Sequence, residues 1–221
     1  MRIAALVILA GSFAVPCAAT TLTFDDIPGW QGGPAPLVWQ EGGATVSADA
    51  NSDGVVWYSL PGAVHLDDSG TSLTGGVDVA VGRQFHALGM SVFGYPQASY
   101  VVTPEEWDMR PVPYDNIAVE GFRNGLSVAY TRFSTGLTGG AFSFAFGGDF
   151  RGIDMLRIAA IGPWGQSVDG QPIECGDAPC GHVDLDSLTI APVPLPAGLA
   201  LALGGMGALA GMRLLRRRDE A

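Results

Sequence analysis

Short runs of Val, Ile, Phe and Tyr, broken every few residues by Gly, Asn, Asp or Pro, fill the middle of this chain. The runs are Ala44–Ser47, Val55–Leu60, Val77–Val81, Ala87–Phe93, Ile117–Phe122, Leu126–Tyr130, Ala141–Phe146, Met155–Ala160 and Val183–Ile190, each the length and composition of a strand. Phe142, Phe144 and Phe146 alternate with Ser143 and Ala145, the period-2 pattern of a strand with one buried face. Arg123-Asn124-Gly125 lies between two runs, and Asn-Gly tolerates the positive φ of a tight hairpin turn. Between the two ends no stretch keeps a helical apolar period for three turns. Many short strands at turn-punctuated intervals predict an all-β, antiparallel β-sandwich or barrel rather than a parallel sheet.

The two ends follow a different pattern. Arg2, the apolar run Ile3–Val15 and the small residues Cys17-Ala18-Ala19 read as an export signal over 1–19, cut after Ala19. A lipoprotein reading fits poorly, because Ala14-Val15-Pro16 stands before Cys17. At the other end Leu195–Met212 gives 18 uncharged residues. As a helix these span about 27 Å, just enough to cross a thin bilayer. Arg213, Arg216, Arg217 and Arg218 follow, which places the C-terminal end in the cytoplasm by the positive-inside rule.

The residues from Val193 to Ala197 are Val-Pro-Leu-Pro-Ala. This motif, one spanning segment and a basic end together resemble the C-terminal sorting signals of bacterial PEP-CTERM proteins, in their VPLPA-CTERM form. The resemblance implies an exosortase-type membrane protease as partner, with Val193, Pro194, Leu195, Pro196 and Ala197 as sorting motif and the four arginines as the basic stop. It also implies export through the inner membrane, transient or permanent anchoring there, then release to the cell surface or matrix. A plain C-terminal anchor that is never cut is the alternative.

Three segments are therefore expected: a signal peptide at 1–19, a sandwich domain at 20–192 and a sorting signal at 193–221. The domain also carries a weaker resemblance to jelly-roll modules of PEP-CTERM proteins. Its carriers are Ile117-Ala-Val-Glu-Gly-Phe-Arg-Asn-Gly, Phe142-Ser-Phe-Ala-Phe-Gly-Gly-Asp-Phe and Ile153-Asp-Met-Leu-Arg-Ile, with an opening Leu22-Thr-Phe-Asp-Asp and a closing Val183-Asp-Leu-Asp-Ser-Leu-Thr-Ile. That resemblance implies a galactose-binding-like sandwich whose first and last strands lie side by side.

Charge narrows the partners. Thr20–Pro192 holds twenty Asp or Glu against six Arg, a net charge of −14, and the whole chain has no Lys. Such a surface repels nucleic acid and anionic lipid and suits divalent cations, neutral glycans or plain solvation. After cleavage only Cys175 and Cys180 remain. In an oxidising compartment they are expected to form a disulfide; a C-x4-C metal half-site would have only His182 nearby.

Asp49-Ala-Asn51-Ser-Asp53-Gly54 fits the front half of a calcium loop, but Leu60 stands where the bidentate Glu belongs. Weak calcium binding through Asp49, Asn51 and Asp53, or a plain polar turn, are the two readings. Asp25 and Asp26 would join Asp184 and Asp186 if the terminal strands meet, and alternation puts Asp184 and Asp186 on one face. No catalytic set emerges. His65, His86 and His182 stand apart in sequence, no Ser sits in a G-x-S-x-G elbow, and Glu105, Glu106 and Asp108 share one loop. Trp30, Trp39, Trp57, Trp107 and Trp164 lie near loops or strand ends, where flat rings either stack on sugars or pack loops. The expected function is a non-catalytic surface or matrix protein with extracellular polysaccharide or calcium as ligand. A secreted glycan-active hydrolase is the alternative.

Overall fold

The computed structural model describes residues 18–25, 38–48, 57–60, 62–66, 76–97, 99–101, 110–163, 165–175 and 181–193. All of them belong to one compact unit, Ala18–Val193. The signal-peptide reading up to Cys17, the sorting motif beyond Val193, the arginine end, the calcium loop and Cys180 lie outside the described residues. Among the described residues no helix is long and apolar enough to cross a membrane.

The described strands are β1 (Thr20–Leu22), β2 (Val38–Glu41), β3 (Ala44–Ala48), β4 (Trp57–Leu60), β5 (Ala63–Leu66), β6 (Gly76–Gly94), β7 (Ser99–Val101), β8 (Arg110–Pro111), β9 (Ile117–Arg123), β10 (Leu126–Phe133), β11 (Gly140–Ala145), β12 (Arg151–Ala160), β13 (Ser167–Val168), β14 (Gln171–Cys175) and β15 (Val183–Pro192). Their pairings are all antiparallel. One 3-10 turn, Gly148–Phe150, precedes β12.

The long strand β6 organises the fold. Its first part pairs with β12 and β3, and its last part with β15 and β11. The runs Val77–Val81 and Ala87–Phe93 are thus one strand, a correction to the two read from the sequence. Gly82 takes φ +67, which only glycine adopts cheaply, so the chain bends there without leaving the ladder. The four residues 81–84 are absorbed as an irregularity opposite Asp154. One half of the sheet then runs β10-β9-β12-β6-β3-β2, and the other runs β11-β6-β15, with β5 and β1 on different stretches of β15.

Both halves feed one core. Val46, Val77, Val79, Leu156 and Ile158 from the first pack in the same cluster as Leu66, Val92, Leu185, Leu188 and Ile190 from the second. A folded-over antiparallel sheet with a shared apolar interior is the sandwich arrangement. The first and last strands are neighbours, with Thr20 opposite Ile190 and Leu22 opposite Leu188.

Aromatic rings close one side. Phe133 of β10 stacks on Phe144 at 4.5 Å and on Phe142 at 5.3 Å. Phe146 continues the row to Phe150. Phe142, Phe144 and Phe146 are half-buried while Ala141, Ser143 and Ala145 are exposed, so the expected alternation holds. Asn124 and Gly125 have φ 53° and 75°, as the hairpin reading of Asn-Gly required.

A smaller sheet, β13-β14-β7-β8, has its own core of Val101, Val112, Tyr114 and Ile173. Backbone groups of Tyr114 and Asp115, which join no ladder, are met by amide side chains. Gln97 bonds the Tyr114 N–H and carbonyl, and Gln166 bonds those of Asp115. This meets the requirement that buried backbone polar groups find partners. Cys175 ends β14 and is disulfide-bonded.

Candidate functional site

Three adjacent strands bring a row of unlike side chains onto the outer face of the second half. Along β5 Val64 and Leu66 point into the core, so His65 points out. Along β15 Val183 and Leu185 are core residues and Asp184 faces the other way. At the end of β6 Met90 and Val92 are buried and Phe93 faces outward. Register aligns them, for Asp184 is opposite His65 on one side and Phe93 on the other. Trp57 of β4 is in turn opposite His65.

An outward-facing Asp is normally solvated, yet Asp184 is only 6% exposed. Its partners cover it. One carboxylate oxygen bonds His65 Nδ1 at 2.6 Å and the other accepts the Tyr95 hydroxyl at 2.9 Å. His65 Nε2 lies 3.1 Å from His182 Nδ1. An ionised carboxylate only accepts, so Nδ1 of His65 carries a proton, Nε2 is the acceptor when the ring is neutral, and His182 Nδ1 donates. Tyr95 stands edge-on to His65 at 5.7 Å and to Phe93 at 5.9 Å. Phe93 itself is 47% exposed.

Neighbouring loops fix the cluster. The Tyr95 N–H donates to the His182 carbonyl at 3.4 Å. Gly181 N–H donates to the Tyr114 hydroxyl at 2.7 Å, which ties the start of β15 to the smaller core. Cys175, just upstream, is held covalently.

Asp–His pairing is the orienting half of a general-base arrangement. Here the position facing His65 Nε2, where a nucleophile would sit, is filled by the His182 imidazole. The chain from Asp184 through His65 to His182 can hold and pass a proton and can hydrogen-bond a polar ligand. Among the described residues no group of three or more His, Cys, Asp and Glu could hold a metal ion.

Several sequence readings change here. His65 and His182 are not apart; they meet through a ladder that joins residues 117 positions distant. Asp184 and Asp186 do not share one regular face. The β15–β6 register shifts between Leu185 and Ser187, so the exposed Asp186 occupies a bulge. Asp25 is exposed, with a carboxylate oxygen beside Gly62, while Asp26 lies outside the described residues. Trp39 is half-buried and packs edge-on against Phe24 at 5.8 Å, as a core residue rather than a sugar platform. His86 accepts the Gly152 N–H far from the cluster. Glu105, Glu106, Asp108, Trp30, Trp107 and Trp164 are outside the described residues. Phe93 and Tyr95 were not singled out from the sequence. Phe93 carried one signal: its place among the alternating residues Met90–Phe93.

No protein-family model and no curated protein matches this chain. Among solved structures it is similar to CBM32-1, a carbohydrate-binding module from a family 31 glycoside hydrolase of Clostridium perfringens. The TM-score is 0.32 at 10% identity, covering 80% of this chain and 97% of that one. It is also similar to the Stig cyclase Fisc from Fischerella sp. TAU, with TM-score 0.27 and 11% identity over 82% of this chain and 87% of that one. Likenesses at these scores say nothing of this chain's ligand.

Proposed function

We propose that this is an exported, non-catalytic surface protein that binds a neutral glycan on the outer face formed by β5, β15 and β6. One observation carries the glycan reading. The half-exposed ring of Phe93 stands beside Tyr95 and a hydrogen-bonded Asp184–His65–His182 chain. A sugar needs such a pairing, an apolar face for its C–H groups and fixed polar groups for its hydroxyls. The acidic domain surface disfavours polyanionic ligands, which leaves neutral polysaccharide as the class of choice.

A glycan array probed with the exported protein tests this reading. Binding to neutral glycans is expected, weakened about tenfold or more by Phe93→Ala, which corresponds to roughly 1.4 kcal/mol. No saturable binding, or binding indifferent to Phe93→Ala, would remove the site from the account.

Delivery rests on the tail. Pro194 and Pro196 are unsuited to a helix interior or central ladder, which would favour access of an exosortase-type protease to the Val193–Ala197 motif, whereas Pro192 itself ends β15 opposite Phe85. The Leu195–Met212 segment and the four arginines hold the substrate in the inner membrane meanwhile. A Cys175–Cys180 bridge suits the exported setting. In the native host, a C-terminal tag should be lost from the mature protein, and Pro194→Ala with Pro196→Ala should keep it attached. A tag retained on the unaltered chain at steady state would make the tail a permanent anchor.

A further inference from the structure

From the edge strand β11 we infer that two copies of this chain pair there, antiparallel and across a two-fold axis at Ser143, so that their sheets join into one. The pairing does not rest on the glycan reading.

β11 pairs with β6 on one side, and among the described residues no strand pairs with its other side. The Phe146 N–H donates to the Leu88 carbonyl of β6 at 3.0 Å. Antiparallel bonding alternates from residue to residue, so Phe144 and Phe142 also bond toward β6. The N–H and carbonyl groups of Ala141, Ser143 and Ala145 then point away from β6, and all three residues are exposed. A row of outward backbone groups is a template for one kind of occupant, an extended strand.

Edge strands are ordinarily closed to such pairing by charge, proline or a bulge. β10, at the edge of the other half, has two of these: Arg132, paired with Asp115, and a register shift between Ser127 and Ala129. β11 has none. Its pairing with β6 runs from Gly140 opposite Gly94 to Ala145 opposite Gly89 without a shift. From Phe133 to Gly148 the chain carries neither a charged residue nor a proline. In a domain of net charge −14, two copies can meet on this edge without like charges facing each other. Asp149, exposed just past the strand, falls at opposite ends of the pair.

Self-complementarity identifies the partner. Ala141-Phe142-Ser143-Phe144-Ala145 reads the same in both directions. Antiparallel pairing with a second copy about Ser143 therefore sets Ser143 against Ser143, Ala141 against Ala145 and Phe142 against Phe144. The Ser and Ala pairs use the outward groups, so they are the bonded pairs that exchange two hydrogen bonds each. The Phe pairs are the non-bonded kind, in which side chains approach most closely. Phe142 and Phe144 face inward and stack on Phe133, yet remain half-buried. Their open flanks meet those of the second copy, and the aromatic row continues across the axis as stabilising cross-strand pairs. An isologous contact of this kind closes on itself at two copies.

Pairing also acts on the outer face. Phe93 is opposite Ala141, so the two Phe93 rings come to lie on one face of the joined sheet. Three strand spacings and four residues separate them, roughly 20 Å. With the proposed glycan site on that face, one polysaccharide chain can engage both copies and is held more tightly than by either alone.

Sedimentation velocity on the exported protein, without glycan, tests the pairing. The mass should be that of two chains at high concentration and fall to one on dilution. Ser143→Lys sets two cations against each other on the axis and should weaken association about tenfold or more. Because Ser143 is exposed, the variant should keep the thermal midpoint of the unaltered protein. Ser143→Cys should be joined to its copy by a short bismaleimide, whereas Ser127→Cys, on the bulged β10 edge, should not. A one-chain mass at every concentration, a two-chain mass that survives Ser143→Lys, or equal cross-linking from the two cysteines would overturn the inference.

Discussion

Replacing Phe85 by Ala should cost about 3–5 kcal/mol, the range for deleting a buried aromatic ring. For a domain of this size that lowers the thermal midpoint by roughly 6–20 °C. Phe85 is fully buried where β6 passes from one half of the sandwich to the other, opposite Ile153 and Pro192. Its ring fills the corner that both halves share, and neither half can collapse onto the void without losing its ladder to β6. Phe93, eight residues on in the same strand, is the internal control. It faces outward and is half exposed, so Phe93→Ala should change stability by less than about 1 kcal/mol. Urea denaturation of both variants decides the matter. Equal losses would mean that β6 does not divide its faces as described.

Asp184→Ala should be the most costly change on the outer face, at about 2–4 kcal/mol. The loss is not the carboxylate's own attraction but what it leaves behind: His65 Nδ1–H and the Tyr95 hydroxyl both lose their acceptor in a covered setting. The two-histidine contact loses its fixed tautomer as well. Asp184→Asn keeps one accepting oxygen but turns an NH2 toward a donor, and should cost about 1–3 kcal/mol. Asp186→Ala, on the exposed bulge two residues away, should stay within about 0.5 kcal/mol. Chemical denaturation measures all three. A loss for Asp184→Ala no larger than for Asp186→Ala would show the cluster to be loosely held.

How far the sequence carried these conclusions differs between fold and site. Strand identity was legible wherever alternation was regular, as at Phe142–Phe146, and wherever a turn had its own chemistry, as at Asn124-Gly125. It failed at Gly82 because a glycine between two apolar runs reads as a stop, whereas here positive φ bends a ladder that continues. The short strands β2, β5, β7, β8, β13 and β14 went unread, since two to five residues give too few alternations to register. His65 and Asp184 were visible as polar positions between core residues, in Ala-Val-His-Leu and Val-Asp-Leu. Their meeting was not, because it depends on β5 pairing with β15 across more than a hundred residues. Asp186 was misplaced for a related reason: a bulge shifts alternation by one residue and leaves no mark in composition.

Nuclear magnetic resonance mapping of a bound glycan tests the central claim most directly. With the strongest neutral glycan from the array titrated into the exported protein, the account predicts saturable shift changes at His65, Phe93, Tyr95, His182 and Asp184. It predicts little change at Arg83, Arg151 or Leu126, roughly 30 Å away along the strands. Shifts gathered around Arg83 and Arg151 or on the β10 edge, with the Asp184 cluster unmoved, would contradict it.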